Sequence, residues 1–191
     1  MITLILGGAR SGKSTFAEKL AFGASNGESK TVTYIATADA QDLEMEERIA
    51  IHKKRRPNGW HTWEGEIETL PSEISRLEGV LLLDCLTLYL SRLFLASPHA
   101  DGDDEKKWIA AEGGILESVE AIYGNFVQSG DGTRHLIVVS NEVGFGLVPP
   151  YRMGRRFRDL QGRANQLSAG CADNVALVVA GLPLWIKGNE R

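Results

Sequence analysis

Short apolar runs recur along the chain at Ile2–Leu6, Thr31–Ala36, Val80–Leu83, Leu136–Ser140 and Val175–Ala180. Most do not alternate with polar residues, which suits strands covered on both faces. Between them the apolar spacing becomes helical, over Ser14–Phe22, Asp42–Lys54, Leu86–Ala96, Asp104–Gln128 and Tyr151–Ala169. Strands alternating with helices predict an α/β fold, a mostly parallel sheet with helices on both faces. The glycine- and aspartate-rich stretches 97–104 and 129–133 read as connections, so residues 1–191 are expected to form a single domain. In such sheets ligands sit beyond the carboxyl ends of the strands.

The first of those ends carries Gly7-Gly8-Ala9-Arg10-Ser11-Gly12-Lys13-Ser14, which fits G-x-x-x-x-G-K-[ST] at every fixed position. An apolar run precedes it and a helical pattern follows, with Phe16, Ala17 and Leu20 at helical spacing. Glycines let backbone N–H groups close around phosphate oxygens, and the helix N-terminus adds favourable partial charge. Lys13 is expected to reach the outer phosphates and Ser14 to ligate Mg2+. The pattern predicts a P-loop NTPase-like fold and a nucleoside triphosphate site. It does not say what is done with the nucleotide.

Val80-Leu81-Leu82-Leu83-Asp84 is an apolar strand ending in an acid. Such a carboxylate either lies beside the metal of a phosphate loop or caps the helix that starts at Leu86. Beside the glycine loop, the metal-side role is the better fit.

Asp42–Lys54 has acids at its start (Asp42, Glu44, Glu46, Glu47) and bases at its end (His52, Lys53, Lys54), followed by Arg55, Arg56 and the stop at Pro57. Complementarity to the helix dipole accounts for that charge order without function. Met45, Ile49 and His52 share one stripe, which turns His52 inward. Four following cations favour a neutral imidazole, the nucleophilic form. From the helix alone a structural or capping histidine is the simpler reading.

Composition narrows the class. The formal charge of −4 lacks the basic excess of nonspecific nucleic-acid binders, so no nucleic-acid partner is expected. Two distant cysteines, Cys85 and Cys171, show neither metal spacing nor a disulfide framework. The N-terminal apolar run is short and has no basic leader, and no segment is long and apolar enough to span a bilayer. A cytoplasmic protein without stable membrane insertion is the expectation.

Further stretches complete a family pattern: Tyr34-Ile35-Ala36-Thr37-Ala38, Glu44-Met45-x-x-Arg48-Ile49-x-x-His52, Arg56-Pro57-x-x-Trp60-x-Thr62-x-Glu64 and Leu83-Asp84-Cys85-Leu86-Thr87. Ser140-Asn141-Glu142-Val143-Gly144-x-Gly146-x-Val148-Pro149 and Arg156-Phe157-Arg158-Asp159-x-x-Gly162-Arg163-x-Asn165-Gln166 extend it nearly end to end. With the glycine loop, they make the chain resemble the bifunctional adenosylcobinamide kinase/adenosylcobinamide-phosphate guanylyltransferases of cobalamin biosynthesis.

The resemblance implies two reactions. A hydroxyl of adenosylcobinamide is phosphorylated from ATP or GTP. GMP from GTP is then transferred to adenosylcobinamide phosphate through a guanylyl-histidine, giving adenosylcobinamide-GDP and pyrophosphate. By position it makes His52 that histidine and Gly7 to Ser14 the phosphate cradle, with Lys13 acting in catalysis. It sets Ala36, Thr37, Ala38, Lys53, Lys54, Arg55, Arg56, Glu64 and Asp84 along the nucleotide, and Ser14 and Asp84 at the metal. Many relatives carry glutamate where this chain has Asp84, which keeps the carboxylate and shortens its reach. The family is homotrimeric, so a homo-oligomer is implied.

Several residues stay open. Glu142 is a weak candidate for the kinase base, and a structural acid bonding backbone N–H groups in a glycine-rich turn is slightly preferred. Arg155, Arg156, Arg158 and Arg163 would meet a phosphate, a corrinoid side chain or a second subunit, or else form a solvated face. The four tryptophans read as core or interface, and His61, His99 and His135 as surface or strand-end residues. A P-loop kinase of small molecules without nucleotidyl transfer and a nucleotide-dependent regulator both fit the glycine loop. His52 separates them from the family reading.

Overall fold

The computed structural model describes residues 1–25, 30–38, 56–57, 59–130 and 132–188. One seven-stranded sheet organises them. Its strands are β1 (Ile2–Gly7), β2 (Val32–Ala36), β3 (His61–Trp63), β4 (Val80–Asp84), β5 (His135–Asn141), β6 (Asn174–Val179) and β7 (Leu182–Lys187). The order across the sheet is β3-β2-β4-β5-β1-β6-β7. Every neighbouring pair is parallel except β6 and β7. The helices are α1 (Lys13–Ala24), α2 (Leu70–Glu73), α3 (Leu86–Ala96), α4 (Glu105–Gln128) and α5 (Arg152–Cys171). The expected helix over Asp42–Lys54 lies outside the described residues.

The unbroken apolar runs are the central strands, and alternate side chains go to opposite faces. Ile5, Val80, Leu82, Ile137 and Val139 pack with Ala17 and Ala21 of α1 on one face. Leu4, Leu81, Leu83, Leu136 and Val138 pack with α3, α4 and α5 on the other. Leu81, Leu82 and Leu83 are all fully buried, each contributing roughly 2 kcal/mol through burial of apolar surface. Asp104 caps α4, its Oδ1 accepting from the N–H groups of Lys106 at 3.1 Å and Lys107 at 3.2 Å.

Three elements escape the sequence pattern. β3 is a three-residue edge strand with no apolar run. Residues 67–73 form a 3-10 turn and α2, too short for a helical period. β7 is an outer strand, where Pro183 is tolerated. The run expected to continue to Ala180 ends at Val179. Ala180 has φ 52° and Gly181 φ 81°. Two consecutive left-handed residues are the requirement of a type I′ hairpin turn, which reverses the chain into β7.

At the amino ends of the strands, His135 is a strand-end residue as expected, and it is buried. Its Nε2 lies 2.8 Å from Thr3 Oγ1. Among the described residues no helix is long and apolar enough to cross a membrane.

Candidate active site

β1 delivers the chain to the glycine loop at the carboxyl edge of the sheet. A Cβ on Gly7 would stand 2.8 Å from the Val178 carbonyl oxygen, and one on Gly12 would stand 3.0 Å from Gly181 Cα. Gly12 also has φ 94°, where a side chain is strained. The loop is tied from three sides. Ser11 N–H donates to the Gly8 carbonyl at 3.3 Å, Gly181 N–H to the Ser11 carbonyl at 2.7 Å, and Glu142 N–H to the Gly7 carbonyl at 3.0 Å. The β6–β7 turn thus buttresses the loop, a role for Gly181 that the sequence reading missed. The Ala180-Gly181 pair between two apolar runs was its only signal.

The loop opens directly into α1, so Lys13 and Ser14 stand at a helix N-terminus with its outward N–H groups and partial positive charge. Lys13 Nζ donates to the Gly8 carbonyl at 3.1 Å. Burial lowers the Lys13 pKa, and the neighbouring Asp84 carboxylate opposes that shift. The Ser11 hydroxyl is buried with no hydrogen-bond partner among the described residues. A buried orphan hydroxyl inside such a loop suits an arriving anion oxygen.

Asp84 ends β4 on the same face. Ser14 Oγ donates to its Oδ1 at 3.3 Å, and the Tyr34 hydroxyl donates to its Oδ2 at 3.0 Å. The N-cap position of α3 belongs to Cys85. Asp84 therefore does not cap that helix, and its carboxylate lies beside Ser14 of the glycine loop. Burial, and after it the Asp84 charge, push the Tyr34 phenol upward, which keeps it a proton donor. Arg56 stacks over the Tyr34 ring, 3.5 Å from its centroid, and its Nη1 donates to Thr62 Oγ1 at 3.1 Å. Tyr34 therefore links the Arg56 segment to the carboxylate.

The remaining expected residues divide. Ala36 pairs with Asp84 across the sheet, and Glu64 follows β3 at the same edge. Thr37 is fully buried, and its Oγ1 donates to the Cys85 carbonyl at 2.7 Å and accepts from Cys85 N–H at 2.8 Å. Its side chain joins β2 to β4 rather than lining a ligand surface. Ala38 is half-buried beyond it. His52, Lys53, Lys54 and Arg55 lie outside the described residues. Burial pushes the Cys85 thiol up to about 12, which leaves it protonated.

Residues 3–186 match the model of the cobinamide kinase / cobinamide phosphate guanyltransferase family. The chain belongs to this family. It is 41% identical over 190 residues to the bifunctional adenosylcobalamin biosynthesis protein CobP of Pseudomonas aeruginosa, covering 98% of each chain. It is 37% identical over 190 residues to the protein CobU of Escherichia coli, described in the same words, covering 98% of this chain and 100% of that one. Among solved structures it is similar to a KaiC-like protein of Pyrococcus horikoshii, with a TM-score of 0.51 and 13% identity. That match covers 92% of this chain and 69% of the other. It supports the α/β P-loop fold.

In this family member the late motifs meet around the end of β5. Gln161 Nε2 donates to Ser140 Oγ at 2.9 Å, Ser140 Oγ to Asn165 Oδ1 at 2.7 Å, and Asn165 Nδ2 to the Asn141 carbonyl at 3.0 Å. Glu142 Oε1 accepts from Gly144 N–H at 2.7 Å, as a structural acid of a glycine-rich turn does. Arg156 is buried and donates to the carbonyls of His99, Ala100 and Gly102 and to Glu105 Oε2. Arg163 pairs with Glu112 at 2.6 Å, and Arg155 holds the carbonyls of Pro149 and Pro150. Arg155 and Arg156 thus hold loop carbonyls, whereas Arg163 ties α5 to α4. Trp108 is a core residue beside Phe94.

Proposed function

We propose that both family reactions, kinase and guanylyltransferase, run at this one phosphate loop, the second through a covalent guanylyl-His52. The observation that carries the reading is the convergence of Lys13, Ser14 and Asp84 at the N-terminus of α1, within a chain matched to the family over residues 3–186.

In the first reaction the hydroxyl oxygen of adenosylcobinamide attacks the terminal phosphorus of ATP or GTP. The bond to the bridging oxygen breaks and a nucleoside diphosphate leaves. Positioning and charge stabilisation suffice for such a transfer. Lys13, swung from the Gly8 carbonyl to the outer phosphates, supplies positive charge, and the α1 N–H groups supply aligned donors. Ser14 and Asp84 present oxygen ligands of the hard type that Mg2+ takes, and together they would hold it where it neutralises phosphate charge.

In the second reaction an imidazole nitrogen of His52 attacks the α-phosphorus of GTP. A P–N bond forms, the α–β bridge breaks and pyrophosphate leaves. An oxygen of adenosylcobinamide phosphate then attacks the same phosphorus, the P–N bond breaks, and His52 is restored as adenosylcobinamide-GDP departs. One hard displacement becomes two easier ones. Lys53, Lys54, Arg55 and Arg56 would line the nucleotide, and Arg56 is within reach of the site through Tyr34. The resemblance further supports a homotrimer, and the formal charge of −4 is not that of a nonspecific nucleic-acid binder.

The test separates the two reactions. His52→Ala is expected to abolish guanylyl transfer and retain phosphorylation of adenosylcobinamide. Lys13→Ala is expected to impair both. Full transfer activity in His52→Ala would overturn the covalent route.

A further inference from the structure

Asn141 belongs to a motif that none of the steps above uses. Along β5, Ile137 and Val139 face α1, whereas Leu136 and Val138 face α4 and α5. Side chains alternate along a strand, so Asn141 falls on the α1 face, which is the face of the phosphate loop. Its partner across β1 is Gly7, the first glycine of that loop. On its other side β4 ends at Asp84, level with Val139. Asn141 thus lies between the metal-side carboxylate and the loop, two residues beyond the end of β4.

Its backbone is fixed from both sides. Asn141 N–H donates to Thr87 Oγ1 of α3 at 2.8 Å, and its carbonyl accepts from Asn165 Nδ2 of α5 at 3.0 Å. The next N–H, of Glu142, is bonded to Gly7. The buried Ser140–Gln161–Asn165 network holds the preceding residue. Yet the carboxamide at the centre of this support has a buried Oδ1 with no hydrogen-bond partner among the described residues. Buried polar atoms in native chains are paired, and an exception beside a ligand site points to a partner that comes with the ligand. A carboxamide offers one acceptor and one two-proton donor, exchanged by a half-turn about its last torsion.

We propose that the Asn141 carboxamide contacts the terminal phosphoryl group of the bound nucleoside triphosphate, its Nδ2 donating to a phosphate oxygen. The proposal rests on the nucleotide reading of the glycine loop and deepens it. The neutral side chain matters here. A second carboxylate beside Asp84 would repel the phosphate, and an aliphatic group would leave its oxygen undonated. Asn141 then makes the site distinguish a triphosphate from the diphosphate left after phosphoryl transfer.

The test uses the full chain with magnesium and two probes, GTP and GDP, each carrying a methylene α,β bridge that blocks nucleotidyl transfer. Affinities are measured by calorimetry for the wild type, Asn141→Ala and the near-isosteric Asn141→Asp, with thermal melting as the check on folding. Asn141→Ala is expected to bind the triphosphate about tenfold more weakly or worse, and the diphosphate within about twofold of the wild type. Asn141→Asp is expected to lose more triphosphate affinity than Asn141→Ala. Equal loss for both probes, or no loss in Asn141→Asp, overturns the proposal. A wild type that binds neither probe overturns the nucleotide reading itself, and the proposal with it.

Discussion

His135 makes the stability of this chain depend on mild acid. The imidazole is 5% exposed, its Nε2 is held by Thr3 Oγ1, and its Nδ1 is buried without a partner among the described residues. Burial lowers its pKa from 6.5 to about 4, the N-terminal ammonium and Lys30 add to the shift, and Asp173 opposes it. A histidine whose folded pKa lies below its unfolded one is neutral in the fold while the unfolded chain takes up a proton. The unfolded state therefore gains stability as pH falls through 6.5, and the loss to the fold levels off below about 4. Between pH 7 and pH 5 this linkage amounts to about 2 kcal/mol from this one group. Urea unfolding of the wild type and His135→Gln at the two pH values isolates it, because other groups titrate alike in both chains. The wild type is expected to lose about 2 kcal/mol more than the variant on acidification. An equal loss in the two chains would refute the assignment of a neutral buried imidazole.

Further outcomes follow from three other positions in the fold. Arg156→Met removes the guanidinium that holds three carbonyls of the 99–102 loop, and should destabilise the chain by about 3 kcal/mol in thermal or urea unfolding. Arg156→Lys should recover only part of that, since an ammonium lacks the planar fork. Ala180→Asn places a residue that tolerates positive φ ahead of Gly181 and should stabilise by roughly 1 kcal/mol, seen as a raised melting temperature. Asp84→Asn keeps the shape beside Ser14 and removes the charge, so it should raise the magnesium concentration that supports nucleotide binding, measured by titration.

The central strands and the phosphate loop were legible because both are local. A parallel strand buried on two faces is a continuous apolar run, and the loop's spacing encodes its own geometry. β3 and β7 were not legible because edge strands are half-exposed and answer to their neighbours more than to their own pattern. The arginines of α5 show the same limit. Charge alone left phosphate, partner and solvent open for Arg156, and only the tertiary fold brings the 99–102 carbonyls around it. Asp84 illustrates the middle case. Its residue type and position gave two readings; Cys85 at the N-cap of α3 removes the capping one, and Ser14 stands 3.3 Å from the carboxylate. The Ser140–Gln161–Asn165 network explains how two motifs about twenty residues apart act as one unit. No pattern of hydrophobicity reports a buried polar network.

The most direct test of the account is the intact mass of the purified chain after incubation with GTP and Mg2+, with and without adenosylcobinamide. The account predicts an added mass of one GMP that is lost in acid, stable in alkali and absent from His52→Ala. GTP bound under both conditions with no adduct would contradict the covalent route and leave a phosphate-loop kinase without nucleotidyl transfer.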